Sequence, residues 1–177
     1  MTGRLAVDFG TSNTVIAVWD EQKMEGIPLL IPECGRVYSQ GATSISVIPS
    51  LIHYTEDNRR WVGEQVIQRD LYHSRRTFRW MKRYISQRSP IKVFLEEKTI
   101  TPFSAGRDFL SLVLLFASQQ QDLRDEEIAL SVPVESYEHY EDWLASVSES
   151  AGLPRFRLID EPSAAALGYG AHIQPGN

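Results

Sequence analysis

The first third of the chain alternates short apolar runs with turn residues. Short apolar runs bounded in this way are typical of β-strands. They predict strands at Leu5–Phe9, Thr14–Trp19 and Ile27–Pro32, with a hairpin between the first two and the third run pairing next. Glu33–Thr43 is rich in Gly, Ser and polar residues, and it is predicted to be a loop.

The pattern is less regular in the middle of the chain. Short apolar runs predict strands at Ile45–Tyr54, Arg60–Val62 and Ile91–Leu95. Looser helical periodicity predicts helices at Gly63–Tyr72 and Thr77–Ile85.

Helical periodicity becomes clear after Thr101. Thr101 is predicted to be an N-cap, and Pro102 suits the first helical position because its missing N–H costs nothing there. Apolar residues follow at helical spacing, so we expect this helix to be largely buried. The remaining pattern predicts, in order, strand Ile128–Val132, helix Ser136–Ser150, strand Phe156–Ile159 and helix Glu161–Tyr169.

The order of these elements predicts an α/β fold. Strands joined by hairpins are antiparallel, whereas strands joined by helices are expected to be parallel. Three hairpin-linked strands followed by two helix-linked strands form the ribonuclease-H-like arrangement. We expect a core of residues 1–40 and 100–177, with a small inserted α+β subdomain at about residues 41–99.

Composition narrows the class of protein. A chain of 177 residues, 42% hydrophobic and 23% charged, suits one globular domain or a core with an insertion. Its longest apolar run, Leu112–Ala117, is too short to span a bilayer, and a net charge of −5 argues weakly against nucleic-acid binding. The single cysteine, Cys34, leaves no disulfide framework and fits a reducing compartment. We expect a cytoplasmic protein that binds neither membrane nor nucleic acid.

Positive charge is concentrated in Arg59–Lys92, which holds ten basic residues and only two acidic ones. A segment of this kind is often a solvated basic face. The alternative is that part of it faces a cleft that binds phosphates.

A candidate phosphate loop follows the first predicted strand. A polyphosphate with Mg²⁺ needs close backbone approach, small donors and an acid near the water shell of the metal. Gly10 permits close approach and a positive φ, and Asp8 ends a buried strand where no packing role explains it. The donors are Thr11, Ser12 and Asn13. The alternative is a tight hairpin whose polar side chains bond to their own turn.

Two further positions are candidates for phosphate chemistry. Lys82 could lie against a γ-phosphate and orient the attacking water, or it could be one more cation of the basic face. Asp160 and Glu161 end a strand and open a helix, where open α/β sheets place ligand residues. The alternative is that they cap that helix. The four histidines show no metal-ligand spacing.

Together these segments resemble the seventy-kilodalton heat-shock chaperones, the DnaK-like family. Asp8–Asn13 is similar to the D-L-G-T-T phosphate loop of the family, and Leu158–Gly170 is similar to I-I-N-E-P-T-A-A-A-I-A-Y-G. The segment that contains Lys82 is similar to T-V-x-x-x-K-R-L-I. The other two matching segments are Ile48–Tyr54 with Gly63, and Val132–Leu153.

The resemblance implies the first lobe of an actin-like ATPase domain, which binds ATP or ADP with Mg²⁺. In that family Asp8 and Glu161 would act through the waters of the metal, and Lys82 would position the nucleophilic water. Thr11 and Ser12 would contact phosphates, with Gly10 and Asn13 in the same loop.

The resemblance also raises expectations about partners. Pro133 would take part in signalling between domains, but Glu141 stands where the relay arginine of the family is expected. Gly26–Ser46 is longer than usual for the family. The second phosphate loop, the adenosine pocket and the peptide-binding domain, with its clients and cochaperones, would lie after Asn177. We therefore expect residues 1–177 alone to bind nucleotide poorly, to hydrolyse negligible ATP and to self-associate through an exposed wall.

Two other functions remain open. A filament-forming actin-like protein would share Asp8–Asn13 and the E-P-x-A-A-A element but lack the Lys82 segment. A non-hydrolysing regulatory domain would fit the loss of the relay arginine at Glu141, but it would not require Asp8, Lys82 and Glu161.

Overall fold

The computed structural model describes residues 5–123, 127–132, 137–153 and 156–160. Within these residues the chain forms twelve strands and four helices. The strands are β1 (Leu5–Phe9), β2 (Asn13–Asp20), β3 (Glu25–Pro28), β4 (Arg36–Gln40), β5 (Thr43–Pro49), β6 (Ile52–Tyr54), β7 (Arg60–Val62), β8 (Thr77–Phe78), β9 (Val93–Leu95), β10 (Lys98–Ile100), β11 (Ile128–Val132) and β12 (Phe156–Asp160). The helices are α1 (Glu64–Gln68), α2 (Met81–Ser86), α3 (Pro102–Ser118) and α4 (Tyr137–Ala151).

The main sheet has seven strands and mixes both directions. Its order is β12-β11-β1-β2-β5-β4, and β3 also pairs with β2. β2 is antiparallel to β1 and β3, whereas β11 is parallel to both β1 and β12. The structure is therefore mixed α/β. As predicted, β1 to β3 are antiparallel and β11 and β12 are parallel, but β4 and β5 add two further antiparallel strands to the same sheet.

The central strands bury alternate residues. In β1, Leu5, Val7 and Phe9 are buried while Ala6 and Asp8 are exposed. The ring of Phe9 stacks on Trp143 of α4, with centroids 5.0 Å apart, and lies 6.0 Å from the ring of Phe109 in α3. One face of the main sheet is thus covered by α3 and α4. We call it the covered face, and we call the side of Ala6 and Asp8 the open face.

Helix α3 begins as its sequence predicts. Thr101 is the N-cap, and it forms a capping box in which Thr101 and Ser104 each bond to the backbone N–H of the other. Pro102 lies in the first turn, and most apolar residues of the helix are buried. The prediction of a largely buried helix is confirmed.

A region of smaller elements connects β5 to α3. It contains a three-stranded sheet in the order β7-β6-β8, the β9–β10 hairpin, α1 and α2. Gly106 of α3 lets α2 approach closely, because a Cβ at this position would lie 2.8 Å from Cδ1 of Ile85. The hydroxyl of Tyr140 in α4 also donates a hydrogen bond to the carbonyl of Lys82 in α2, at 3.0 Å. Helix α2 is therefore held against both long helices.

The predicted loop at Glu33–Thr43 is wrong in its second half. Arg36–Gln40 forms an edge strand that pairs with β5, and Tyr38 lies opposite Ile45. Val37 and Tyr38 are 49% and 48% exposed, so this strand lacks the buried alternation by which strands are recognised. The predicted boundary at about residue 41 falls at the tip of this hairpin, and β5 belongs to the main sheet.

The two predicted helices of the middle region are shorter than expected. The first, Gly63–Tyr72, is helical only at Glu64–Gln68, and Asp70 adopts a left-handed φ of 55°. In the second, Thr77–Phe78 is a strand paired with β6, and the helix starts after Trp80, whose φ is 57°. The predicted strand Ile45–Tyr54 is also divided into β5 and β6.

Two predicted strands have other bounds: Ile27–Pro32 is replaced by Glu25–Pro28, and Ile91–Leu95 is a strand only at Val93–Leu95. The predicted helix Glu161–Tyr169 lies outside the described residues. The strand Lys98–Ile100 was not predicted, and it pairs with β9. Within the described part of the chain, every helix is too short or too polar to cross a bilayer.

Candidate functional site

The candidate phosphate loop is the turn between β1 and β2. Its first residue, Gly10, must be a glycine, because a Cβ there would lie 2.2 Å from the carbonyl oxygen of Asn13. The close approach at Gly10 is therefore between two parts of the same turn, Gly10 and the backbone of Asn13. Gly10 does not use the positive φ that glycine permits, since it lies outside the left-handed region. The hairpin geometry of the turn, and not left-handed backbone, makes glycine necessary.

Ser50 braces this loop from the end of β5. Its N–H donates to the carbonyl of Ser12 at 2.9 Å, and its Oγ donates to the carbonyl of Gly10 at 2.8 Å. The hydroxyl of Thr14 lies 2.9 Å from Ser50 Oγ. Because the single proton of Ser50 Oγ is used on Gly10, we infer that Thr14 is the donor of that third bond. Ser50 and Thr14 are 1% and 0% exposed, so the brace is buried.

A cavity of about 610 Å³ lies on the open face, beside the end of β1. Its polar lining comes from Asp8, Gly10, Lys82 and Ser131. Ser131 Oγ donates to Asp8 Oδ1 at 3.0 Å, which orients the carboxylate. The rest of the lining is Ala6, Val7, Val15, Ala17, Ala129 and Ile159. We call this space the Asp8 cavity.

Small side chains of the main sheet form the bottom of the Asp8 cavity and leave space above it. Ala6 lies directly opposite Ala17 of β2 and Ala129 of β11, so three neighbouring strands present only methyl groups at this level. On the next row, Asp8 lies opposite Val15. The space above the sheet is therefore available to a ligand whose charged end would lie near Asp8.

Lys82 reaches the Asp8 cavity from the region inserted between β5 and α3. It is the second residue of α2, directly after the left-handed Trp80 and the buried Met81. The bond from Tyr140 to its carbonyl fixes its backbone against α4. Lys82 and Asp8 are distant in sequence, and the packing of α2 brings both to one cavity.

The other loop residues face a different space. Thr11, Ser12 and Asn13 line a second cavity of about 220 Å³, which also contains Arg79. Its other lining residues are Arg36, Tyr38, Pro49, Leu51, Ile67, Tyr72 and Trp80. We call it the Arg79 pocket. The structure therefore divides the predicted set: Asp8, Gly10 and Lys82 line one cavity, while Thr11, Ser12 and Asn13 line the other.

Two predicted residues cannot be located in this way. Glu161 and Pro133 lie outside the described residues. Asp160 ends β12 and is paired with Val132 in register. The neighbouring Ile159 lines the Asp8 cavity, so β12 contributes to its wall.

Most arginines of the basic segment have structural partners. Arg76 forms a two-point ion pair with Glu96, at 2.7 and 2.9 Å, and this hydrogen bonding lowers the pKa of Glu96. Arg59 contacts Asp57 at 2.7 Å, and the guanidinium of Arg69 lies 3.8 Å from the ring centroid of Trp61. Lys82 and Arg79 of the same segment instead line the two cavities.

The described residues contain no cluster of three or more His, Cys, Asp or Glu side chains that could hold a metal. Asp8 is the acidic side chain in the lining of the Asp8 cavity. Cys34 is fully buried, and burial, reinforced by the charge of Glu33, raises the pKa of its thiol to about 12. A thiol with that pKa stays protonated at neutral pH, which disfavours a role as a nucleophile.

No model of a known protein family matches this chain. Function is therefore inferred from the residues that line the two cavities and from the order of the strands.

Proposed function

We propose that this chain is the first lobe of an actin-like ATPase of the DnaK-like type, and that the Asp8 cavity receives the phosphates of ATP or ADP with Mg²⁺. The observation that carries the proposal is the meeting of Lys82 with Asp8 in one cavity. A cation from a separate element, placed across from an acid at the end of a strand, suits a phosphate chain and its metal.

The strand order supports the same proposal. The parallel pairing of β1 with β11 at the centre of the sheet places the carboxyl ends of these two strands side by side. Open sheets with helix-linked strands place ligand residues at such ends. Asp8 on β1 and Ser131 on β11 lie there, bonded to each other at 3.0 Å.

The residues present fit Mg²⁺ that arrives with a nucleotide. Mg²⁺ keeps several waters and is commonly held by one or two carboxylates together with substrate phosphates. A single oriented carboxylate, as at Asp8, meets that requirement, whereas a resident all-protein site would need more ligands. When bound, the ion would neutralise charge that develops on the phosphates. Asp8 would hold its water shell, and Glu161 is proposed as the second acid.

The chain's own residues have distinct roles in this proposal. Lys82 holds the water that attacks the γ-phosphorus, which breaks the bond to the ADP oxygen and releases phosphate. Ser131 fixes the rotamer of Asp8. The Ser50 brace keeps the loop carbonyls turned away from the phosphates, because Gly10 and Ser12 already accept hydrogen bonds from it.

The proposal is tested by calorimetric titration of residues 1–177 with ATP and Mg²⁺. The variants are Lys82→Ala and, as a control, Lys92→Ala, which removes an exposed lysine of the same basic segment. We expect weak saturable binding. Lys82→Ala should reduce the affinity by about tenfold or more, because it removes a positive charge beside the phosphates; each tenfold step corresponds to ~1.4 kcal/mol. Lys92→Ala should bind as the unmodified chain does.

Equal binding by the two variants would contradict the role of Lys82. It would favour the regulatory alternative, in which the lysine is only part of a basic face. The same titration of a longer chain, with release of phosphate as the readout, tests hydrolysis separately from binding.

A further inference from the structure

The Arg79 pocket has features that the nucleotide proposal does not use. It lies against Thr11, Ser12 and Asn13, whereas the Asp8 cavity lies against Asp8 and Gly10. Its volume of about 220 Å³ suits a small group and not a whole nucleotide. The loop between β1 and β2 therefore borders two spaces of different size.

Arg79 makes three contacts at the edge of this pocket. Its guanidinium lies 4.9 Å from the ring centroid of Tyr72 and 4.8 Å from that of Trp80. Its Nη1 also donates to the carbonyl of Tyr72 at 3.0 Å. Within the described residues, no carboxylate forms an ion pair with it. Aromatic rings and a neutral carbonyl thus contact this cation, and among the described residues its charge is not balanced by a paired carboxylate.

A second guanidinium lines the same pocket. Arg36 lies over the ring of Tyr38, at 5.3 Å from its centroid, and its Nε is 3.0 Å from Glu64 Oε2. These two atoms are nevertheless buried without a well-aligned hydrogen bond. Counting the described residues alone, the pocket wall carries two guanidinium groups against one nearby carboxylate, and one buried donor is poorly satisfied.

The remaining polar groups suit an anion as well. Thr11 and Ser12 bring hydroxyl donors, and Asn13 brings an amide. Guanidinium groups with neighbouring hydroxyls match the oxygens of phosphate better than those of any neutral ligand, because charge-assisted and two-point bonds form.

We propose that the Arg79 pocket is a binding site for a phosphate-type oxyanion, with Arg79 as its main ligand. The anion is inorganic phosphate or the phosphate group of a larger molecule, a nucleotide included. The site does not depend on ATP hydrolysis in the Asp8 cavity.

The test is a titration of residues 1–177 with inorganic phosphate at constant ionic strength, followed by calorimetry and by tryptophan fluorescence, since Trp80 contacts Arg79. Arg79→Gln removes the charge, and Arg83→Gln removes an exposed arginine of the same segment as a control. We expect Arg79→Gln to weaken binding by roughly 10- to 100-fold, as for a lost charge-assisted pair, and Arg83→Gln to have no effect.

A second variant distinguishes loss of binding from loss of folding. Arg79→Lys keeps the charge but not the planar fork, so it should bind phosphate with intermediate affinity, and thermal unfolding should confirm that each variant is folded. The proposal is overturned if phosphate does not bind saturably, or if Lys82→Ala abolishes phosphate binding while Arg79→Gln leaves it intact. In that case the phosphate occupies the Asp8 cavity alone.

A parallel titration with ATP identifies the source of the anion. If Arg79→Gln weakens both ATP and phosphate, the pocket receives a phosphate of the nucleotide. If it weakens phosphate alone, the pocket serves a separate ligand. Both results support a phosphate site in the Arg79 pocket. If Lys82→Ala loses ATP binding but still binds phosphate, the Arg79 pocket and the proposed nucleotide site in the Asp8 cavity are independent sites.

Discussion

The two faces of the main sheet differ although they alternate along the same strands. The covered face carries large apolar residues such as Phe9, packed on Trp143, whereas the open face carries Ala6, Asp8 and Ser131. Neighbouring residues of one strand thus serve either the core or the cavity. The difference teaches that stability and ligand binding can be altered separately at adjacent positions.

The largest expected effect is on the covered face. Trp143→Ala removes a fully buried ring that contacts Phe9 and donates through Nε1 to the carbonyl of Phe103 at 3.2 Å. Truncation of a buried Trp should lower the free energy of unfolding by about 3–5 kcal/mol. Urea denaturation measures it, with Leu115→Ala as the control because Leu115 is 55% exposed. Equal losses in both variants would mean that Trp143 is not in the core.

A smaller effect is expected at Ser50, which braces the loop between β1 and β2. Ser50→Ala leaves the carbonyl of Gly10 and the hydroxyl of Thr14 without their buried partner, at a cost of about 1–3 kcal/mol. Because the loop borders both cavities, we expect weaker binding of ATP and of phosphate as well. Ser44→Ala removes an exposed hydroxyl whose bond to Ser39 is 3.4 Å long, and it should change neither quantity. A Ser50→Ala protein with unchanged stability and binding would show that the loop needs no brace.

A pH-dependent effect extends the comparison to the inserted region. His53 is 5% exposed, its Nδ1 lies 2.8 Å from Thr77 Oγ1, and burial together with the charge of Arg76 lowers its pKa below the ordinary 6.5. The unfolded chain then binds more protons than the folded one below about pH 6.5, so stability should fall with acidification in that range. His53→Gln should remove this part of the slope, whereas His73→Gln, on an exposed residue, should not. Parallel slopes for all three proteins, from denaturation at several pH values, would contradict this assignment.

Much of the fold follows from the pattern of residues. β1, β11 and β12 are short apolar runs with clear boundaries, and α3 combines a strong N-cap with long helical periodicity. These signals are local, so the sequence alone reveals them. The edge strand Arg36–Gln40 has the sequence of a loop because its side chains are exposed, and it is held by backbone bonds to β5. Such pairing has no signature within the strand itself.

The candidate site was predictable only in part. The Asp8 loop and Lys82 were identified, and their meeting in one cavity depends on the packing of α2 against α3 and α4. The role of Ser50 is not predictable from its neighbours in sequence, because it rests on hydrogen bonds to residues 36 to 40 positions away. The division of the loop between two cavities depends on side chains from β4 and from the segment before α2. The spacing of residues along the sequence does not predict which of these distant side chains meet at the loop.

The most direct test of the account is a calorimetric titration of ATP with Mg²⁺ into Asp8→Asn, beside the unmodified chain and Asp142→Asn. Asparagine keeps the shape and an acceptor for Ser131 but removes the charge, while Asp142 is exposed on α4. The account predicts weak saturable binding that requires Mg²⁺, is lost in Asp8→Asn and persists in Asp142→Asn. Binding that is equal in all three proteins, or equal without Mg²⁺, would contradict the claim that the open face holds the phosphates at Asp8.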